Sequence, residues 1–103
     1  MEQNSGLTQT ELAIISEVLK RYPQIQHAYL FGSRAKGNYH TGSDVDIAVA
    51  GASIPSNVIR TIHYWLNEET PMPYKFDVVN IATISEVALQ EHIQRVGKLF
   101  YSK

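Results

Sequence analysis

The sequence predicts an α/β fold, a small mixed sheet packed on helices in two layers. Two observations carry that reading. Three short apolar runs, 27–31, 44–50 and 75–81, are bounded by turn-forming residues in the manner of strands. Three longer stretches, 9–21, 55–69 and one opening near Thr83 or Ser85, repeat apolar residues at helical intervals. The resulting order is helix, strand, strand, helix, strand, helix, with no repeat, linker or low-complexity segment. Helices in that number on so small a sheet make a two-layer sandwich.

Along the chain, residues 1–7 are expected to form a flexible tail and 8–103 one domain. Thr8 and Glu11 have the spacing of a capping box, and Leu12, Ile15, Val18 and Leu19 follow on one helical face. Pro23 stops that helix. Gly32 and Ser33 turn out of the first strand, 33–37 make one short helical turn, and the Gly, Asn, Thr and Ser of 37–43 make a loop. The second strand, 44–50, is closed by Gly51. Pro55 lies near the first turn of the second helix, whose Val58, Ile59, Ile62, Trp65 and Leu66 share a face. Pro71 and Pro73 punctuate the loop before the third strand. Thr83 and Glu86 again have capping-box spacing, and Val87, Ile93, Val96, Leu99 and Phe100 supply a third helix. The aromatic run Leu99-Phe100-Tyr101 then falls at a helix end, either packed there or partly exposed as a partner surface.

Composition narrows the function. A chain of 103 residues suffices for one modest core, burying roughly two-thirds of its unfolded surface. With 44% hydrophobic and 18% charged residues it is globular rather than disordered. A net charge of -1 argues against direct nucleic-acid binding, which needs clustered Lys and Arg. The lack of cysteine excludes a disulfide framework and a thiolate metal site. The first six residues are polar, without the apolar stretch of a signal peptide, and no apolar run approaches the roughly 20 residues of a membrane span. The expectation is a cytoplasmic protein with no membrane association.

The chemistry is concentrated in residues 32–46, which read Gly-Ser, ten residues, Asp-Val-Asp. Side chains alternate along a strand, so Asp44 and Asp46 share a face. Carboxylates that close repel each other, and one holds a proton unless a cation lies between them. Hard oxygen donors of this kind suit Mg²⁺, commonly held by one or two carboxylates and substrate phosphates. The Gly32-Ser33 turn offers a triphosphate a close backbone and a hydroxyl, with Arg34 and Lys36 as nearby cations. Asp77 opens the third strand. Taken alone it reads best as a strand-end Asp bonded to a backbone amide. If the third strand lies beside the second, however, Asp77 projects next to Asp46, and three convergent carboxylates suit two divalent cations. Attack at a nucleotide α-phosphorus then assigns the roles. Asp44 and Asp46 hold both metals, or one where only the nucleotide-bound ion is present, and Asp77 completes the second metal and takes the proton of the attacking hydroxyl. Ser33 and nearby amides, with Arg34 or Lys36, bind the β- or γ-phosphate.

Other signals are weaker. Gly32 and Gly37 imitate half of a P-loop, but Asn38-Tyr39 stands where the phosphate-binding Lys and Ser/Thr belong. His27, His40, His63 and His92 lack metal-ligand spacing and read as surface or edge residues. Tyr39 and His40 either stack on the base or stand exposed in the loop.

Gly32-Ser33, ten residues, Asp44-Val45-Asp46 and a later strand Asp77 resemble the signature of the DNA polymerase β-type nucleotidyltransferase superfamily. The wording of 31–37 and 43–49 is similar to its minimal nucleotidyltransferase (MNT) branch, and Ser43 completes the signature before the first Asp. The resemblance spans nearly the whole chain. It implies a polymerase β-like fold, one or two Mg²⁺ ions and ATP as substrate. Nucleotide contacts would come from Gly32, Ser33, Arg34, Lys36 and Ser43, and catalytic and metal-binding roles fall to Asp44, Asp46 and Asp77. It further implies a hetero-oligomer with a helical HEPN-type protein. There the chain would be the antitoxin of a type VII-like toxin–antitoxin pair, transferring AMP from ATP to a hydroxyl, a tyrosine's, of the HEPN toxin. Larger relatives such as the aminoglycoside nucleotidyltransferases add a helical domain that helps bind the acceptor, so here that surface falls to a partner chain. Two other readings stay open: a non-catalytic antitoxin acting by occlusion, and a nucleotidyltransferase subunit modifying a small molecule.

Overall fold

Thr8 Oγ1 accepts the Glu11 amide at 3.0 Å while Glu11 Oε1 accepts the Thr8 amide at 2.9 Å. This reciprocal cap opens α1 (Gln9–Lys20) in the computed structural model, which describes residues 5–103. α1 buries Ile15, Val18 and Leu19, and the chain then runs through β1 (His27–Phe31), the short α2 (Gly32–Lys36) and β2 (Val45–Ala50). α3 (Ser56–Glu68) follows, burying Val58, Ile62 and Leu66 at intervals of four, and leads into β3 (Phe76–Asn80). A 3₁₀ turn (Ile81–Thr83), α4 (Val87–Val96) and β4 (Lys98–Ser102) complete the described residues.

The sheet is mixed, in the order β3-β2-β1-β4. β1 is antiparallel to both its neighbours, and β2 and β3 are parallel, joined through α3 as a parallel pair requires. Alternation along β2 sets the layering. Val45, Ile47 and Val49 point into the main core with the buried residues of α1 and α3. Ala48 points to the other face, where it joins Phe31 and Ile93 in a smaller cluster beneath α4.

Two expectations are corrected. Of the expected tail, residues 1–4 lie outside the described residues. Ser5 and Leu7 are buried, however: Leu7 belongs to the main core, and the Ser5 carbonyl accepts a hydrogen bond from Arg34 at 2.8 Å. The expected third helix is three elements. Asn80 Oδ1 accepts the Ala82 amide at 3.0 Å and Thr83 Oγ1 donates to the Asn80 carbonyl at 3.2 Å, so Thr83 is drawn into a 3₁₀ turn rather than a capping box. α4 starts at Val87, Gly97 follows its end, and Leu99-Phe100-Tyr101 lies in β4, with Tyr101 buried and Leu99 exposed.

Candidate active site

The antiparallel course of β1 against β2 brings the end of one strand to the start of the other, and the expected site residues gather at that boundary. Phe31, the last residue of β1, is paired with Asp46, and Asp46 is paired in turn with Asp77 on β3. The third strand therefore lies beside the second, and Asp46 and Asp77 occupy adjacent positions on one face. Asp44 precedes Asp46 by two residues. Asp44 and Asp77 are exposed and Asp46 is half-buried. Among the described residues none of the three pairs with a cation; the only ion pair is Lys20–Glu17, at 3.6 Å on α1. Burial raises the Asp46 pKa above its ordinary value, and the negative charges of Asp77 and then Asp44 raise it further.

Asn67 of α3 helps to place Asp77. Its Oδ1 accepts the Phe76 amide at 2.9 Å and its Nδ2 donates to the Phe76 carbonyl at 3.1 Å. One side chain thus stands in for a neighbouring strand at the start of the edge strand β3, one residue before Asp77.

Gly32 makes the turn out of β1 at φ +73°, a left-handed conformation that favours glycine. A Cβ at this position would overlap Asp46 Oδ2, so the turn and the Asp46 carboxylate are in close approach. The Gly32 amide donates to His92 Nε2 on α4 at 3.1 Å. Ser33 is half-buried in the first turn of α2, and Lys36 is exposed on it.

Arg34 departs from its expected role. It is 2% exposed, donating to the carbonyls of Ser5 at 2.8 Å and Ser43 at 3.1 Å. The guanidinium carbon lies 5.2 Å from the centroid of the Tyr39 ring and 4.8 Å from that of Tyr74. Arg34 therefore ties α2 to the residue before Asp44 instead of facing outward to phosphate. Ser43 is also committed locally, its Oγ accepting the His40 amide at 2.9 Å. Tyr39 packs on Arg34, and His40 is exposed.

His92, read from the sequence as a surface or edge residue, is instead half-buried at the Gly32 turn. Its only sequence signal is its place beside the apolar Ile93. Asn67 and Tyr74 also escaped notice. The Tyr74 hydroxyl donates to the Glu11 carboxylate at 3.0–3.1 Å, and its ring supports Arg34.

The donor set fits Mg²⁺ in kind, being carboxylate oxygens of uncompensated charge. It does not enclose a metal: among the described residues no three His, Asp or Glu side chains converge closely enough to cage one alone. The site is also open. A cleft of about 530 Å³ runs between α3, β3 and the start of α4, past Ile59, Asn80 and Leu89, and another of about 460 Å³ lies between α4 and the sheet at Tyr29, Ala50 and Ile93. Neither is lined by the three Asp residues or the Gly-Ser turn. Among the described residues no helix is long and apolar enough to cross a membrane.

The mixed sheet, the Gly-Ser turn after β1 and the acidic ends of β2 and β3 define a nucleotidyltransferase domain. Residues 14–103 match the model of the family described as "Polymerase beta, Nucleotidyltransferase", and the chain belongs to that family. Protein adenylyltransferase MntA of Shewanella oneidensis is 42% identical over 92 residues, covering 87% of this chain. The chain spans 64% of that relative's length. A probable protein adenylyltransferase MntA of Haemophilus influenzae is 29% identical over 93 residues, covering 90% of this chain and 81% of the relative. Among solved structures, a toxin–antitoxin with AMP-PNP superposes with a TM-score of 0.74 at 24% identity, covering 93% of this chain and 75% of the other. A tri-AMPylated Shewanella oneidensis HEPN toxin in complex with MNT antitoxin gives 0.72 at 22% identity, covering 94% and 74%. At those identities the likeness is one of fold.

Proposed function

We propose that this chain is a Mg²⁺-dependent protein adenylyltransferase. It moves AMP from ATP to a hydroxyl, a tyrosine's, of a helical HEPN-type partner, as the antitoxin of a cytoplasmic toxin–antitoxin pair. The observation that carries this reading is the pairing of Asp46 with Asp77 beside a Gly-Ser turn in close approach to Asp46. The adenylyltransferase relatives and the AMP-PNP-bound toxin–antitoxin neighbour point the same way.

When bound, Mg²⁺ neutralises charge on the triphosphate and on departing pyrophosphate. Asp44 and Asp46 would hold it, and Ser33 with the amides of its turn would orient the phosphates, Lys36 offsetting their charge. Asp77 takes the proton of the acceptor hydroxyl as its oxygen bonds to the α-phosphorus. The bond to the bridging oxygen of the β-phosphate breaks, and pyrophosphate carries away that electron pair. Arg34 has no phosphate contact in this scheme; it supports the loop that delivers Asp44. The relatives described as protein adenylyltransferases favour an acceptor on another protein over a small molecule.

Intact mass of the helical partner after incubation with this chain, ATP and Mg²⁺ tests the proposal. A gain of one or more AMP units is expected with the parent and none with Asp44→Ala. A complex that forms with no gain would move the reading to occlusion. Asp77→Asn should bind Mg-ATP but transfer poorly; loss of binding alone would make Asp77 a ligand rather than the base.

A further inference from the structure

We infer that His92 is a positioning residue for the Gly-Ser turn, holding it through the Gly32 amide at the distance from Asp46 that nucleotide binding needs. The inference rests on the proposed role of that turn in binding phosphate. The β1–β2 ladder ends at Phe31 and Asp46, so the Gly32 amide is the first beyond the paired residues of β1. It is satisfied by a side chain 60 residues away, His92 Nε2 at 3.1 Å. An imidazole nitrogen that accepts carries no proton, so this hydrogen bond is made by a bare Nε2.

The imidazole is held by its helix and by a neighbouring ring. Ile93, the next residue, is buried in the cluster with Phe31 and Ala48 and anchors α4 to the sheet. The Phe31 ring meets the imidazole edge-on, with centroids 6.1 Å apart and planes at 79°, which orients the ring. The bond therefore joins an anchored helix to a glycine whose left-handed φ leaves no room for a Cβ beside Asp46 Oδ2. If the turn shifts, the space available to the Asp46 carboxylate shifts with it. His92 acts through Gly32 and touches neither nucleotide nor metal in this scheme.

Two measurements on the full chain test this. The first is the ¹⁵N–¹⁵N coupling across the Gly32 N–H···Nε2 His92 hydrogen bond in labelled protein, expected to be detectable. The second is the dissociation constant for Mg-ATP in His92→Phe, which retains an aromatic ring against Phe31 but no acceptor, and in His92→Gln, whose Oε1 can accept. Loss of the hydrogen bond should weaken Mg-ATP binding roughly tenfold in His92→Phe, with most of it restored in His92→Gln. Parental affinity in a folded His92→Phe would overturn the inference, as would His92→Gln binding no better than His92→Phe. If His92→Phe does not fold, His92→Gln carries the test: near-parental affinity with a protected Gly32 amide supports the inference, and an unprotected amide with unchanged affinity overturns it. A parent that fails to bind Mg-ATP would instead overturn the proposed function, and with it the inference, even where the coupling shows that the hydrogen bond exists.

Discussion

Gly32→Ala should leave the protein folded while removing most of the proposed AMP transfer. Two costs follow from the structure, and they fall in different places. The first is conformational. An L-residue at φ +73° loses about 1–2 kcal/mol relative to glycine. For a domain of this size that lowers Tm by roughly 5–15 °C. The second is steric. The new Cβ would overlap Asp46 Oδ2 and lie 3.1 Å from its Cγ. That obstacle is the end of a side chain, so Asp46 can rotate away with little further loss of stability. If Asp46 holds the metal as proposed, displacing its carboxylate by about 1 Å costs the reaction on the order of 100-fold. Thermal unfolding in parallel with initial rates of AMP incorporation, read by intact mass of the partner, measures both. An alanine variant that transfers at the parental rate would refute the close approach between the turn and Asp46. One already unfolded at 25 °C would refute the claim that a side chain yields rather than the backbone.

Three further outcomes are expected. The Asp46 pKa is raised in the folded state, so its contribution to folding is complete below the unfolded value and is lost as pH rises through the folded one. Without divalent cation, Asp46→Asn should therefore melt above the parent at pH 7 and converge with it near pH 3; equal Tm at pH 7 would count against the carboxylate repulsion. Asn67→Leu removes both hydrogen bonds to the Phe76 backbone and should cost roughly 1–3 kcal/mol in urea unfolding, an unchanged midpoint speaking against the strand-mimic role. Arg34→Lys cannot span the Ser5 and Ser43 carbonyls with one ammonium, and should lower Tm by roughly 5–10 °C. Mg-ATP affinity should change little in that variant; a selective loss of affinity at unchanged Tm would return Arg34 to the phosphates.

Where one periodicity dominated, the sequence was sufficient. β1 occupies the residues expected, and α1, α3, β2 and β3 each lie within a residue of their expected ends. β4 was hidden by a bulge. The register with β1 shifts between Ala28 and Tyr29, so Tyr101 and Leu99 are partnered while Phe100 is not. The extra residue breaks the alternation of two, and Val96, Leu99 and Phe100 then mimic helical spacing. At the site, the spacing of Asp44 and Asp46 placed them together without further knowledge. Asp77 depended on which strands were neighbours, a property of topology rather than of local pattern. Arg34 was read as a ligand because charge beside a Gly-Ser turn suggests one, and its burial was not legible. Its burial is set by Tyr39, Tyr74 and the Ser5 carbonyl, none of which local sequence ties to it. His92 is invisible for the same reason, its partner being 60 residues away.

The sheet order also explains how so small a domain brings these residues together. Parallel β2 and β3 start at the same end, and antiparallel β1 finishes there. Each strand therefore delivers its functional residue at its own terminus: the Gly-Ser turn as β1 leaves the sheet, Asp44 and Asp46 as β2 enters it, and Asp77 as β3 enters it. The core is not interrupted, because Val45, Ile47 and Phe76 alternate with the acidic positions and face the opposite side. α4 covers the middle of the acidic face through Ile93 and Ala48, and the clefts of about 530 and 460 Å³ lie away from the carboxylates. In the proposed reaction, a partner that carries the acceptor hydroxyl can also orient it at Asp77. A rigid protein surface can do that through contacts that a small freely diffusing alcohol lacks. On this argument, covalently linking a small acceptor to the partner should raise its adenylylation far more than raising its free concentration does.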